Sequence, residues 1–179
     1  MSGARQGLTG SPEPAGESRW SRLAEYSFLT TWLIGAERER AWDVLEDVAR
    51  WPEWWRGVVG VDELDPGGQD GVGSRHAIAW RSRLPYTVSF EFVTDLVERP
   101  ALMQGRAEGE LTGTGRWRLF EQDGVTAVLY EWVVRTRRPW MNALAPVARP
   151  VFATNHDTVM RWGGEGLARR LGAPLLAHG

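Results

Sequence analysis

The chain has 179 residues, 42% of them hydrophobic and 25% charged, with a formal net charge of −2. That length predicts a single domain, which buries roughly 68–70% of its unfolded surface without disulfide or metal staples. It has no cysteine, and all 21 basic residues are arginine. Thiol nucleophiles, thiolate metal sites, Schiff-base lysines and the lysine of a phosphate loop are therefore excluded. The arginines are scattered rather than gathered in a basic stripe, so no nucleic-acid partner is expected. No apolar run approaches the ~18–20 residues of a membrane span, so no stable membrane insertion is expected. The opening MSGARQGLTGSPEPAGES lacks the apolar core of a secretory signal; residues 1–20 read as a disordered leader and the expected location is the cytoplasm. Tryptophan is the compositional outlier, with 11 copies against 5 Phe and 3 Tyr.

In chain order, AEYSFLTTWLI alternates Tyr26, Phe28, Thr30, Trp32 and Ile34 on one face, the period of a strand. AERERAWDVLEDVARW then changes to helical spacing, with Ala41, Val44, Leu45 and Val48 in one stripe and Glu37 and Glu39 suited to a first turn. Pro52 starts a second short helix. VVGVDEL is a strand, and the Gly- and Pro-dense DPGGQDGVG is a connection. Five strands follow: SRHAIAWRS, PYTVSFEFVTDLV, ALMQGRAEGEL, GTGRWRLFEQ and VTAVLYEWVVRT, the last two joined by a hairpin turn at Gly124. The stretch from Pro139 to Leu171 reads as one long, largely apolar helix, with Pro146 and Pro150 predicting a kinked or separate leading segment. Residues 174–179 read as a short tail, leaving 21–173 as the folded domain.

Strand parity predicts which side chains face inward. Val128, Tyr130, Trp132 and Val134 share one face, as do Trp117 and Leu119, and Tyr86, Val88, Phe90 and Phe92. Gly105, Ala107 and Gly109, continued by Gly113 and Gly115, make a patch of small residues. Such a patch serves either a bend with close packing or the wall of a pocket.

Several local words carry a resemblance. AWDVL-x-D-x3-W-x2-W, the turn GVGS, the strand LPY and the closing NHD-x2-M-x2-G-x2-GL rest on Trp42, Leu45, Asp47, Trp51, Trp54, Gly71, Gly73, Pro85, Tyr86, Asn155, His156, Asp157, Met160, Gly163 and Leu167, with Gly109, Gly113 and Trp117 between them. Over residues 24–171 the chain resembles the SRPBCC/START-like superfamily, in its branch of polyketide cyclase/dehydrase-type proteins. The resemblance implies an α+β helix-grip fold: a curved antiparallel sheet of about seven strands around a long C-terminal helix, with two short helices after the first strand. It implies a hydrophobic pocket between sheet and helix. It embraces cyclases, dehydratases, lipid carriers and oxygenase subunits; no iron-ligand or cluster spacing is present here, so the last branch is set aside.

Within that frame the candidate ligand-binding residues are Trp32, His76, Trp80, Phe90, Ala107, Trp117, Tyr130, Trp132, Phe152, Asn155, His156 and Val159. His156 has Phe152 four residues before it and Met160 four after, which places it on or beside an apolar helix stripe. It is either a buried structural histidine or a pocket group able to move a proton. Asn155 aligns with Val151, Val159 and Trp162 and is the better second inward group, whereas Asp157 is expected outside, paired with Arg161. His156, Tyr130 and Asn155 are the candidate catalytic set. Trp54 and Trp55 either anchor the short helices or gate a pocket mouth, and Gly163, Gly164 and Gly166 each weaken the long helix unless something packs closely there. No metal or cofactor is expected. The readings of function are binding of a small hydrophobic or aromatic metabolite, a polyketide cyclase or dehydratase using the same pocket, and a protein-interaction module with a closed core.

Overall fold

The structure, a computed structural model, describes residues 25–83, 85–136 and 139–179, with the side chains of 139–149 left aside. The expected leader at residues 1–20 lies outside the described residues. Eight strands form one antiparallel sheet in the order β2-β3-β4-β5-β6-β7-β1-β8. They are β1 (Glu25–Ile34), β2 (Val58–Asp65), β3 (Arg75–Arg81), β4 (Thr87–Glu98), β5 (Leu102–Gly109), β6 (Leu111–Gln122), β7 (Val125–Thr136) and β8 (Leu175–His178). Two short helices, α1 (Arg38–Glu46) and α2 (Trp51–Trp54), follow β1, and the long helix α3 (Pro139–Leu171) closes the chain before β8. This is the helix-grip fold.

Two expectations change. Residues read as a tail form the eighth strand: Trp32 pairs with His178 and Leu33 with Ala177, and Thr31 exchanges backbone hydrogen bonds with Gly179 at 2.6 and 3.0 Å. An edge strand of four residues carries little period of its own, so pairing with β1, not local pattern, makes it a strand. The leading segment, expected to be kinked or separate because of Pro146 and Pro150, is continuous with the rest of α3, one 33-residue helix.

The core lies between the inner face of the sheet and the three helices. One half of that space is filled by tryptophans. Trp55, fully buried, sits 5.4 Å from Trp54, 5.2 Å from Trp51, 5.5 Å from Trp32 and 4.9 Å from Trp80, ring centre to ring centre. Offset and edge-to-face contacts of this kind add about 0.5–1.5 kcal/mol each beyond area burial. The Trp51 indole donates to the Leu45 carbonyl at 3.0 Å and that of Trp55 to the Val159 carbonyl at 2.9 Å. Trp54 and Trp55 thus anchor α2 to α3.

The helix glycines make this docking possible. A Cβ on Gly163 would stand 2.4 Å from the Trp55 ring, one on Gly164 2.9 Å from Trp32, and one on Gly166 2.1 Å from the Trp54 carbonyl. The small patch on the strands has the same purpose. A Cβ on Gly105 would meet the Phe92 ring at 2.6 Å, and one on Gly115 would meet Trp132 and the Tyr130 hydroxyl at 2.9 Å. At Gly105 and Gly115 neighbouring aromatics occupy the missing side chains, and at Gly113 a Cβ would meet the Val133 carbonyl at 2.0 Å, which favours packing over a pocket wall at these three positions. On the outer face, arginines pair with acids across strands, as Arg75 does with Glu91 at 2.5 Å and Arg106 with Asp95.

Candidate functional site

The other half of the space under α3 is not filled. A half-enclosed cavity of about 160 Å³ lies between that helix and β1, β3, β4 and β7. The helix contributes Phe152, Asn155, His156, Val159 and Met160. These follow one another at i, i+3, i+4, i+7 and i+8, the single stripe that a 3.6-residue period turns toward a sheet. The sheet supplies an aromatic wall: Tyr26 and Phe28 from β1, Trp80 from β3, Phe90 from β4, Tyr130 and Trp132 from β7. Tyr86 and Ser82 close the end near the β3–β4 connection, with Val88, Leu111, Val134 and Thr136 between.

His156 is the most unusual group here. Its ring stacks on Phe28 with centres 4.0 Å apart and planes 11° from parallel. Both ring nitrogens are buried, and neither has a hydrogen-bond partner among the described residues. The Asp157 carboxylate stands 3.6 Å from Nδ1, beyond a good hydrogen bond. Burial pushes the imidazole down to about 4, only partly opposed by Asp157, so the ring is neutral near pH 7. Tyr130 is wedged between Trp117 (4.0 Å, 21°) and Trp132 (5.7 Å, 21°). Burial raises its phenol far above the ordinary value, leaving it a protonated hydroxyl.

The structure brings Trp80, Phe90, Tyr130, Trp132, Phe152, Asn155, His156 and Val159 together around the cavity. Four sequence candidates lie elsewhere. Trp32 and Trp117 belong to the tryptophan plug, with ring centres 5.5 Å apart. Ala107 is buried in the core at β5, where its register partner on β4 is Phe92. His76 lies toward the far end of β3 from Trp80, 3.8 Å from Glu63, with its pKa lowered mainly by burial. All four have the inward parity they were assigned. Parity names a face of the sheet and is silent on distance along it. Tyr26, Phe28, Tyr86 and Val88, not counted as candidates, share that parity, and Met160 sits on the helix stripe of His156. Ser82 and Leu111 lie at strand ends, where no sequence signal marks them.

Asp157 is exposed as expected, but the pairing is different: among the described residues Arg161 is 4.0 Å from Glu165. Both Asp157 and Arg161 line a second, polar cleft on the other flank of α3, beside Thr30, Thr154 and His178. Its charged groups are largely solvated, so the apolar cavity is the candidate site. No group of three or more His, Asp or Glu among the described residues could hold a metal ion, and no described helix is long and apolar enough to cross a membrane.

A family model described as polyketide cyclase / dehydrase and lipid transport matches residues 34–161. The chain belongs to that family. Solved structures of similar fold include the protein TTHA0849 from Thermus thermophilus, with a TM-score of 0.67 at 13% identity, over 81% of this chain and 99% of that one. The Zhui aromatase/cyclase from Streptomyces sp. R1128 matches with a TM-score of 0.65 at 17% identity, over 83% and 94%. A START superfamily protein from Mycobacterium smegmatis matches at 0.65 and 14% identity, over 83% and 97%. At such identities the likeness concerns the fold. No curated protein sequence matches the chain. Family membership supports a role in ligand binding or cyclase chemistry.

Proposed function

We propose that this protein binds a small hydrophobic or aromatic metabolite, polyketide- or lipid-like, in the cavity under α3. The observation that carries the reading is an aromatic-walled cavity into which, among the described residues, one helix stripe presents Asn155 and His156 as its polar groups. Pockets with mostly apolar walls and a few placed polar groups are the usual form of small-molecule sites. An empty apolar cavity of comparable size, ~150 Å³, is known to admit a benzene-sized guest. The cavity speaks against a closed-core interaction module.

Catalysis is the second reading, favoured by the free nitrogens of His156 beside Asn155 and Tyr130. In that version His156 takes or returns a proton next to a substrate carbonyl while Tyr130 or Asn155 hydrogen-bonds the carbonyl oxygen. An imidazole held at about 4 is a weak base at neutral pH, which ranks binding above turnover.

Tryptophan fluorescence titration with fatty acids, sterols, flavonoids and aromatic polyketides tests the binding reading, because Trp80 and Trp132 line the cavity. One class is expected to change emission saturably at micromolar concentration. No response from a folded protein would return the interaction-module reading to the front. Turnover of the ligand so found, lost in His156→Ala with binding retained, would establish the cyclase.

A further inference from the structure

The cavity under α3 ends where the tryptophan plug begins, and Trp80 and Tyr130 belong to both. Trp80 lines the cavity, yet its ring centre lies 4.9 Å from Trp55 and 6.3 Å from Trp51. Tyr130 lines it too, stacked at 4.0 Å on Trp117, whose own ring is 6.1 Å from Trp55. Behind each of these cavity-facing rings stands a buried ring of the plug. Leu111 and its register partner Thr136, well along β7 from Tyr130, border the opposite end.

The wall so made has little freedom to yield. Trp55 donates to the Val159 carbonyl at 2.9 Å and sits against Gly163, where a Cβ would stand 2.4 Å from its ring. Tyr130 rests over Gly115, where a Cβ would meet its hydroxyl at 2.9 Å. Trp80 is paired in register with Val58 and Val88, and the next residue, Arg81, donates its N–H to the Gly57 carbonyl at 2.9 Å. Close-packed groups held in this way are displaced only with strain. A ligand too long for the space therefore leaves its surplus at the other end instead of pushing into the plug.

Resting on the binding reading, we infer that Trp80 and Tyr130, braced by Trp55 and Trp117, are the floor of the cavity and fix the length of ligand it takes. Trp80 is the decisive residue, because truncating it opens the cavity toward both Trp51 and Trp55.

Calorimetric titration of the whole chain with straight-chain primary alcohols, from pentan-1-ol to dodecan-1-ol, measures that length. While each added methylene is still buried, affinity should rise about fourfold per carbon; past the length the floor allows, the gain should stop. Trp80→Ala leaves a large space behind and should move this stopping point about two carbons longer or more. Leu111→Ala, at the other end, should weaken binding without lengthening it. Trp80→Phe, which keeps a ring against Trp55, should give a smaller shift in the same direction. Gains continuing undiminished to dodecan-1-ol in the wild type would overturn the inference while upholding the cavity. So would a stopping point unmoved in Trp80→Ala, or in Trp80→Phe should the alanine variant not fold. Failure of every alcohol to bind would overturn the binding reading as well.

Discussion

At the scale of single residues, His156 shows how burial converts a titratable side chain into a neutral one. Its ordinary value of 6.5 falls to about 4 in the folded protein. Unfolded chains take up the proton first as pH falls, so stability drops between pH 6.5 and about 4 and is unaffected by this group above 6.5. Over that window the loss amounts to about 3 kcal/mol. His76, also lowered mainly by burial, acts in the same direction. In His156→Phe, urea unfolding measured from pH 7 to pH 4.5 should show a distinctly flatter decline than the wild type; an unchanged slope would show that His156 is solvated. The position of His156 on an apolar stripe was legible from Phe152 and Met160 around it. The burial of its ring was not, because that depends on Phe28, far earlier in the chain, covering its face.

At the scale of the element, α3 reverses what helix propensity teaches. Gly163, Gly164 and Gly166, all within about one turn, should weaken a helix by about 0.8–1 kcal/mol each relative to alanine. Each instead admits a tryptophan or its backbone from a neighbouring element. Gly163→Ala is the sharp case. Propensity alone forecasts a gain of about 1 kcal/mol. The Trp55 ring 2.4 Å from the new Cβ, held by its bond to the Val159 carbonyl, forecasts a net loss of about 1–3 kcal/mol. Chemical denaturation monitored by circular dichroism gives the sign. A more stable variant would mean that Trp55 shifts freely. The need for close packing at these glycines could be read from the sequence, since three helix-weakening residues require compensation; which rings supply it could not.

At the scale of the whole molecule, the sheet is completed by its last residues. Removing 174–179 deletes β8 along with the bonds from Gly35 N–H to Pro174 and between Thr31 and Gly179. With net values of about 0.5–1.5 kcal/mol per hydrogen bond, thermal unfolding should reveal a loss of about 1–4 kcal/mol. Affinity for a cavity ligand should be unchanged, because none of these residues lines the cavity. A collapse of binding would tie β8 to the grip of α3. The same scale explains the division of the interior. The rings of α1, α2 and the adjoining strands plug one end, and the other end, where α3 turns Asn155 and His156 inward, stays open.

The amino-acid sequence by itself determined the element types, their order, the inward face of each long strand and the helix stripe carrying His156. These follow from local backbone geometry, whose periods of 2 and 3.6 residues leave their mark in consecutive side chains. Tertiary structure alone decided how far along the sheet each inward ring lies, and so why Trp80, Tyr130 and Trp132 border a cavity while Trp32, Ala107, Trp117 and His76 do not. It also decided that Phe92, Trp132 and Tyr130 fill the space beside Gly105 and Gly115 and that a four-residue tail segment becomes a strand. Each of these depends on contacts between segments distant in sequence, where packing volume and pairing partners, not local period, set the free energy.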